Sequence, residues 1–329
     1  MKKIDFLAIG DIVIDAFIKL KDAHIHCNID HKGCELCLRF GDKIPYESLH
    51  IIPASGNSGN AVISASRLGL NSAIVTNVGN DQNGKDCLDS LKKNNIKTDF
   101  VKTEKNKNTN YNYILWYETE RTILTKHTEF SYGLPKLPEI SWIYFSSLGE
   151  NSLSYHLEIA EYLKNHPETK LAFQPGTFQI KLGVEKLKDI YARTEIFFCN
   201  LEEAQRILNT KTKDILELSK GIKAFGPEMV SISDGEKGAY FYFNSELWQI
   251  PAYAPEIPAF ERTGAGDSFS STIVSALALG KSPLEALTWG PINAMSVIKK
   301  IGAHEGLLSR EKLEEYLTNA PENYKIKKL

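Results

Sequence analysis

The alternation of short apolar runs with helical segments is the feature that most limits how this chain can fold. Runs of β-forming apolar residues recur from residue 4 to about residue 300, and helical patterns separate most of them. This alternation is typical of a mostly parallel sheet with helices on both faces. We therefore predict a doubly wound α/β fold with main-sheet strands at Ile4–Gly10, Ala73–Val78, Trp142–Ser146, Lys170–Phe173, Ile196–Cys199 and Met229–Ser233.

Helical periodicity predicts the elements that cover this sheet. A hairpin is predicted from Ala239–Phe243 and Leu247–Ile250. The lysine-rich C-terminus is predicted to fray. The predicted helices are Asn60–Leu68, Lys85–Lys93, Leu153–Asn165, Leu201–Leu208, Ile215–Phe225, Ala265–Leu279, Pro283–Lys299 and Arg310–Leu317.

Two stretches break the alternation. Ile25–Arg39 and Asn112–Thr125 have β-type composition and turn residues but no crossover helix, so we predict an antiparallel layer outside the main sheet. Such a layer would act as a lid, formed by about 16–50 and 105–128, over the carboxyl edge of the sheet within a single domain of residues 1–329.

Charge and composition narrow the class of partner. The formal net charge is −2 and the lysines are dispersed, so nothing predicts binding to nucleic acid or to an anionic membrane. The apolar run at the N-terminus is too short for a membrane span and is interrupted by aspartates. The odd number of cysteines, five, does not suggest a disulfide framework. We expect a cytoplasmic protein that acts on a small molecule.

The segment Glu-Arg-Thr-Gly-Ala-Gly-Asp-Ser-Phe at 261–269 is the most informative motif. Its glycines let the backbone approach a ligand, and the N–H groups at the start of the following helix favour an anion. A carboxylate at Asp267 would repel a phosphate, so it is unexpected in a site that only binds phosphate. It is explained if its task is to accept a proton from an attacking hydroxyl. The alternative is a glycine-rich turn with an acid in the first helical turn, and this segment alone does not separate the two.

Thr263–Phe269 resembles the C-terminal signature of the ribokinase-like (phosphofructokinase B) family, Asp-Thr-Thr-Gly-Ala-Gly-Asp-x-Phe. The resemblance implies ATP-dependent phosphorylation of a hydroxyl on a small sugar or sugar derivative, with ATP and Mg²⁺ as cofactors. It makes Asp267 the general base and assigns the stabilisation of developing charge to the amides of Gly264, Ala265 and Gly266.

Two further segments resemble the family's sugar site. Gly-Asp-Ile-Val-Ile-Asp at 10–15 is similar to a strand end whose last aspartate binds sugar hydroxyls, although an aspartate that caps a turn would give the same letters. Ser-Gly-Asn-Ser-Gly-Asn at 55–60, followed by Arg-Leu-Gly at 67–69, is similar to Gly-Gly-Asn-x-x-Asn…Arg-Leu-Gly, with Ser55 replacing a glycine. The substrate-binding residues implied are Asp15, Gly56, Asn57 and Asn60.

The remaining family-like segments concern the nucleotide. Asn-Leu-Glu-Glu at 200–203 resembles the Asn-x-x-Glu motif, which implies that Asn200 and Glu203 serve Mg²⁺ through its water shell. Ser-Asp-Gly-Glu-Lys-Gly at 233–238 resembles the Thr-x-Gly-x-x-Gly segment that wraps the nucleotide. The nucleotide-binding residues implied are Asn200, Ser233, Gly235, Gly238, Thr263 and Asn293.

The chain also departs from the family pattern. Gln174 stands where relatives carry an Asp-Pro-Asn or Asn-Pro-Gly sequence, which would alter the edge of the site. Glu261-Arg262 replaces Asp-Thr beside a loop that binds a monovalent cation in many relatives, and Gly306 replaces a serine of a second supporting loop. Arg262 keeps its charge, so we expect it to pair with Glu261 or to reach the nucleotide phosphates. We also expect potassium to be at most a weak activator.

Two other segments resemble binding sites of different kinds. Residues 79–86 nearly spell a P-loop, but Asp86 stands where Ser or Thr must bind magnesium. His24, His26, Cys27, His31, Cys34 and Cys37 could supply zinc ligands, although a hairpin would point Cys34 and Cys37 to opposite sides. The ordinary alternative is a lid without metal.

The identity of the acceptor and the assembly stay open. Tyr111, Tyr113, Trp116 and Tyr117 could line a base-binding lid, which would favour a nucleoside kinase, but aromatics are also ordinary strand residues. A catalytically silent sugar- or nucleotide-binding regulator on the same fold is a further alternative. Exposed β edges predict a homodimer through the lid.

Overall fold

The computed structural model describes residues 3–27, 34–118, 120–254, 260 and 262–329. Its strands in chain order are β1 Ile4–Ile9, β2 Val13–Leu20, β3 His24–His26, β4 Glu35–Cys37, β5 Tyr46–Ser55, β6 Ser72–Gly79, β7 Val101–Glu104, β8 Tyr111–Tyr117, β9 Glu120–Lys126, β10 Ile140–Phe145, β11 Lys170–Phe173, β12 Thr194–Asn200, β13 Met229–Ser233, β14 Ala239–Phe243, β15 Glu246–Ile250 and β16 Lys327–Lys328. Its helices are α1 Asn57–Arg67, α2 Gln82–Lys93, α3 Leu153–Asn165, α4 Thr177–Leu182, α5 Val184–Arg193, α6 Leu201–Ile207, α7 Ile215–Lys223, α8 Ala265–Ala278, α9 Pro283–Val297 and α10 Arg310–Thr318.

The main sheet has the order β16-β15-β14-β13-β12-β11-β10-β1-β6-β7. Every pair from β7 to β13 is parallel, and the last three strands add antiparallel pairs at one edge. Alternate residues of β1 point to opposite faces of the sheet and pack in two different hydrophobic cores. Phe6 and Ala8 pack with apolar residues of α1, α8 and α9, whereas Leu7 and Ile9 pack with those of α3, α5 and α7. The prediction of a doubly wound, mostly parallel fold is confirmed.

A separate four-stranded sheet, called the small sheet below, has the order β5-β2-β8-β9. The prediction of a purely antiparallel layer is wrong in one respect, because β2 and β8 pair in parallel. The two strands are not joined by a tight hairpin, because β6, α2 and β7 of the main domain lie between β2 and β8 in the chain. Such a long connection permits parallel pairing. Strands β3 and β4 lie outside this sheet and pair with each other in antiparallel fashion.

Three local predictions need correction. Helices α4 and α5 were not predicted, because Gly183, with a φ of 84°, divides their pattern into short pieces. The C-terminus is paired rather than frayed, since Lys328 forms an ion pair with Glu246 beside the Trp248 ring. Cys27 and Cys34 form a disulfide that the cysteine count did not suggest. In the described part of the chain, no helix has both the length and the apolar character that a membrane span requires.

Candidate active site

Asp267 lies in the first turn of α8, at the carboxyl edge of the main sheet, and it is 9% exposed. Gly264 precedes the helix in the left-handed conformation, with a φ of 78°. A Cβ at Gly264 would lie 2.2 Å from the Cβ of Ala303, so only glycine fits this approach. The first N–H groups of the helix have no partners within it, and that of Ala265 donates to the Arg262 carbonyl oxygen at 3.4 Å. The motif therefore combines an anion-binding helix start with a buried carboxyl group.

Three side-chain amides hold the carboxylate of Asp267. Asn57 Nδ2 donates to Oδ1 at 2.9 Å, and Gln174 Nε2 donates to the same oxygen at 3.1 Å. Asn60 Nδ2 donates to Oδ2 at 2.7 Å. The structure thus brings two predicted substrate residues, Asn57 and Asn60, directly to the predicted base, although they are more than 200 positions away in the chain.

The approach of α1 to the site depends on its first residues. Gly56 precedes the helix with a φ of 86°, and a Cβ there would lie 3.2 Å from the carbonyl oxygen of Asp11. Ser55, which replaces a family glycine, is 1% exposed and turns its hydroxyl back to the carbonyl oxygen of Ile52 at 3.4 Å. The serine is therefore accommodated without projecting into the site.

A second line of contacts fixes Asn60. Because its amide nitrogen donates to Asp267, its oxygen must accept, and His304 Nε2 lies 2.9 Å from it. Burial, followed by the nearby Arg67 charge, lowers the pKa of His304 to about 3, so the ring is neutral and carries its proton on Nε2. Arg67 in turn donates to the carbonyl oxygens of His304 and Leu307, at 2.6 and 2.9 Å. Sequence reasoning did not find His304.

Gln174 was predicted only as a change at the edge of the site. Its side chain bridges Asp267 to two hydroxyl groups, because its Oε1 accepts hydrogen bonds from Tyr144 Oη and from Ser270 Oγ, the latter at 2.6 Å. The signal that could have found this contact is its position directly after β11, where parallel strands deliver functional side chains to a shared edge.

The electrostatics of the carboxyl groups follow from burial. Burial raises the pKa of Asp267, while the hydrogen bonds from Asn60, Gln174 and Asn57 oppose this shift. Burial also raises the pKa of Glu203, and the Asp267 charge adds to the increase. Each of the two carboxylates therefore disfavours ionisation of the other.

Asp15 lies on β2 in the small sheet and is 5% exposed. Its Oδ1 accepts a hydrogen bond from Asn112 Nδ2 on the neighbouring strand β8 at 3.0 Å. Phe17 shares the same face of β2, and a Cβ at Gly302 would meet Phe17 and Ile52. Gly302 precedes Ala303, which contacts Gly264. The face of the small sheet that carries Asp15 therefore covers the loop beside the anion-binding helix start.

Asn200 and Glu203 form a reciprocal capping box at the start of α6. Asn200 Oδ1 accepts from the Glu203 backbone at 2.8 Å, and Glu203 Oε2 accepts from the Asn200 backbone at 2.9 Å. The helix start therefore accounts for part of this motif by itself. The box leaves Oε1 of Glu203 for another partner. A half-buried carboxylate oxygen of this kind suits a magnesium ion that keeps most of its water molecules.

Four of the predicted nucleotide residues lie in two turns, one after β13 and one before α8. Ser233 ends β13, Gly235 and Gly238 shape the turn after it, and Thr263 lies in the turn before α8. At Gly238, with a φ of 88°, a Cβ would collide with the Ile250 carbonyl, while the surroundings of Gly235 are open.

Asn293 does not match its predicted contact with adenine. Its side chain is fully buried, with Nδ2 2.8 Å from Thr272 Oγ1 and Oδ1 accepting from the Leu308 backbone at 3.0 Å. Both amide atoms are used within the protein, so Asn293 fastens α9 to α8 and to the segment before α10. We correct its assignment from nucleotide binding to packing.

The side chain of Arg262 contacts the turn after β13. Glu261 lies outside the described residues, so its predicted pairing with Arg262 is not described. Arg262 Nη2 lies 3.4 Å from Glu236 Oε1 in the turn after β13, and both side chains are mostly exposed. This ion pair links the turn after β13 to the segment before α8.

The described residues do not support the P-loop and zinc-site interpretations. Asp81 caps α2 by accepting from Gly84 N and Thr109 Oγ1, so a carboxylate occupies the position where a P-loop holds phosphate. Cys27 and Cys34 are joined to each other, which removes two of the proposed zinc ligands; His31 lies outside the described residues. Within the described ranges, no three His, Cys, Asp or Glu side chains are grouped to hold a metal ion.

The aromatic residues of β8 do not form one wall. Tyr111 and Tyr113 contact each other on one face, with ring centroids 4.9 Å apart. Trp116 is buried on the opposite face, where its ring meets Phe260 edge-on at 4.9 Å. Only Trp116 among these three shares the face of Asp15.

A second buried carboxyl group lies at the same sheet edge. Asp11 follows β1, and its Oδ2 accepts from Tyr132 Oη at 2.8 Å and from the Gly149 backbone at 2.9 Å. Its Oδ1 is buried without a hydrogen-bond partner among the described residues. Burial raises the pKa of Asp11 to about 7. Sequence reasoning did not single out this residue.

Comparison with known proteins identifies the family of this chain. The family model described as pfkB family carbohydrate kinase matches residues 26–310. The ribokinase of Bacillus subtilis (strain 168) is 24% identical over 287 residues, which are 84% of this chain and 92% of the relative.

Two solved structures are similar over nearly the whole chain. Arabidopsis thaliana ribokinase, solved with ribose and ATP, has a TM-score of 0.79 and 16% identity, and the match covers 96% of this chain and 99% of the other. The nucleoside kinase of Methanocaldococcus jannaschii has a TM-score of 0.77 and 18% identity, covering 97% and 99%.

Proposed function

The chain belongs to the pfkB family of carbohydrate kinases, and from this premise we propose that it transfers the γ-phosphoryl group of ATP to a hydroxyl group of a small sugar or sugar derivative, with Asp267 as general base. The observation that carries the proposal is the buried carboxylate of Asp267, held by three amides beside the start of α8. A protein that only binds a sugar or a nucleotide has no need of such a base.

The arrangement supports in-line transfer. Asp267 accepts the proton of the acceptor hydroxyl as that oxygen attacks the γ-phosphorus, and the bond to the β–γ bridging oxygen breaks to release ADP. The N–H groups contributed by Gly264, Ala265 and Gly266 stabilise negative charge that develops on the transferred group. Burial of the carboxylate strengthens these interactions, because little water competes for them.

The acceptor is bound between the small sheet and the start of α1 in this proposal. Asp15 accepts hydrogen bonds from sugar hydroxyls, and Gly56 with the amides of Asn57 and Asn60 lines the opposite side. The small sheet, whose Asp15 face covers the Gly302–Ala303 loop, serves as a lid that excludes water.

The nucleotide occupies the other side of Asp267. Ser233 and the turn of Gly235 and Gly238 contact the nucleotide, and Thr263 lies next to the phosphates. Magnesium, when bound, neutralises charge on the phosphates, and Glu203 with Asn200 would hold it through water molecules.

The acceptor class is tested by a thermal-shift screen of sugars, sugar phosphates and nucleosides, each with a non-hydrolysable ATP analogue. A ligand that binds only the native state raises the melting temperature. We expect a sugar to give the largest increase, followed by ADP formation that depends on that sugar when ATP is supplied. ADP formation with nucleosides alone would select the nucleoside alternative, and binding without ADP formation would select the silent regulator.

A further inference from the structure

Gln174 occupies a central place between the sheet and the proposed base. Its backbone N–H donates to the Phe145 carbonyl oxygen at the end of β10, at 2.9 Å. Its side chain then extends to Asp267 on one side and to Tyr144 and Ser270 on the other. Side chains of two elements, β10 and α8, therefore converge on the side-chain amide of Gln174.

The orientation of this amide is determined from both ends. A carboxylate can only accept hydrogen bonds, so Gln174 must present its NH₂ group to Asp267. Its oxygen then faces the hydroxyl groups of Tyr144 and Ser270, which lie 2.7 Å from each other and supply the protons. A flipped amide would place its oxygen against the carboxylate and its NH₂ group against the two hydroxyls.

The hydrogen bonds to Asp267 are distributed unequally between its two oxygens. Each oxygen of a carboxylate offers about two acceptor positions. Among the described residues, Oδ1 accepts from both Asn57 and Gln174, whereas Oδ2 accepts from Asn60 alone. Oδ1 is saturated, and Oδ2 keeps one open position.

We propose that Gln174 is a positioning residue which, together with Asn57, saturates Oδ1 of Asp267 and leaves Oδ2 as the atom that receives the acceptor's proton. In the transfer, the acceptor O–H bond breaks, its proton moves to Oδ2, and the acceptor oxygen bonds to the γ-phosphorus as ADP leaves. This inference rests on the proposed role of Asp267 as base.

The other titratable groups that face Asp267 stay in place when Gln174 is changed. They are Tyr144 on β10, Glu203 on α6, and His304, which acts through Asn60. Replacement of Gln174 by methionine keeps a similar length and removes the donor to Oδ1. Tyr144 and Ser270 still contact each other, and Ser270 also bonds the Gly266 carbonyl oxygen at 2.9 Å, so neither hydroxyl is left without a partner.

The test is a pH titration of the Asp267 carboxyl carbon by NMR with ¹³C-labelled aspartate, assigned by the signal lost in Asp267→Asn. It requires no acceptor. Loss of a hydrogen bond to the ionised form should raise the pKa of Asp267 by about one unit in Gln174→Met. The matched control is Gln179→Met, which removes another buried glutamine, bonded to Ser146 and His156; it should leave that pKa unchanged.

Each outcome decides one question. A shift below about 0.3 units in a folded Gln174→Met protein, or an equal shift in Gln179→Met, overturns the inference. If Gln174→Met does not fold, Tyr144→Phe replaces it; a smaller upward shift in the pKa of Asp267 supports the positioning role of Gln174, and no shift overturns it. Near-normal turnover of Asp267→Asn with the acceptor selected by the screen would instead refute the proposed base, whatever Gln174 does.

Discussion

At the scale of single residues, the chemistry depends on one carboxylate and its amide partners. We expect Asp267→Asn to bind ATP almost normally and to lose at least about a hundredfold in turnover, the range that removal of a general base usually gives. The asparagine keeps the shape of the side chain but cannot take up the proton. Steady-state ADP formation and ATP-analogue titration measure the two quantities, and turnover within a few-fold of the parent would refute the assignment.

Asp11 provides a prediction about stability instead of turnover. Its native pKa of about 7 lies above the ordinary value of 3.8, so the native state binds more protons than the unfolded state between those values. Stability from this group is therefore present at low pH and is lost as the pH rises through about 7. Asp11→Asn removes the charge while keeping an oxygen for Tyr132 and Gly149.

The measurement compares urea unfolding of Asp11→Asn and the parent at pH 5 and pH 8. Relative to the parent, the variant should gain about 1–3 kcal/mol in unfolding free energy between the two pH values. An equivalent change at the exposed Asp89 serves as control. A difference that is the same at both pH values would contradict the expected titration of Asp11.

The sequence predicted some members of this site and not others, for a physical reason. Asp267, Asn57 and Asn60 stand in motifs whose local chemistry is readable, and the structure brings them together. His304 and Tyr144 act through Asn60 and Gln174, so their roles depend on contacts between residues far apart in the chain. Asn293 was assigned wrongly, because a helix position alone does not show which side faces the core.

At the scale of elements, the entry into α8 requires glycine for two separable reasons. Gly264 and Gly280 both have a positive φ, 78° and 84°, but only Gly264 has a neighbour, Ala303, where a side chain would lie. Gly264→Ala and Gly280→Ala should each lose about 1–2 kcal/mol of stability from the left-handed backbone. Only Gly264→Ala should also lose more than about tenfold in turnover, equivalent to roughly 1.4 kcal/mol of barrier. Equal turnover in the two variants would show that the packing against Ala303 is unimportant.

The loops that flank α8 bear on monovalent-cation activation. Arg67 donates to the carbonyl oxygens of His304 and Leu307, and Arg262 adds a second fixed charge near the turn after β13. Carbonyl oxygens already bonded to a guanidinium are poor ligands for potassium, and the positive charge repels the ion. Turnover at fixed ionic strength should therefore change less than about tenfold between potassium and tetramethylammonium. Greater stimulation would show that a potassium site persists.

The elements themselves were predictable where pattern and tertiary context agree. Buried strands such as Lys170–Phe173 and Met229–Ser233 match their predicted bounds, because each is a short apolar run between clear turns. The parallel pairing of β2 with β8 was not predictable from either strand, since it is decided by the intervening main-sheet strands. The pairing of Lys327–Lys328 depends on Trp248 and Gln249, far earlier in the chain, and gives no local signal.

At the scale of the whole molecule, the outer face of the small sheet is unusually apolar. Ile51, Ala16, Tyr113 and Leu124 are paired across the four strands and form one row. Ile51, Tyr113 and Leu124 are each about half exposed, at 54%, 49% and 51%. A cavity of about 620 Å³ opens beside Tyr113 and Leu124 near the start of α2. Contiguous apolar surface of this kind marks an interaction face more often than a solvated one.

We therefore expect a homodimer in which this row packs against its counterpart in a second copy. Two identical faces related by a two-fold axis would bury the row without leaving an open edge. Replacing Ile51 and Leu124 together by lysine should give a monomer, because two charges would be buried without partners. The matched control is Leu157→Lys, a comparably exposed leucine on α3, 52% exposed, which should leave the dimer intact. Light scattering at micromolar concentration measures the mass; a monomeric parent protein would contradict the prediction and shift the expected acceptor towards nucleosides.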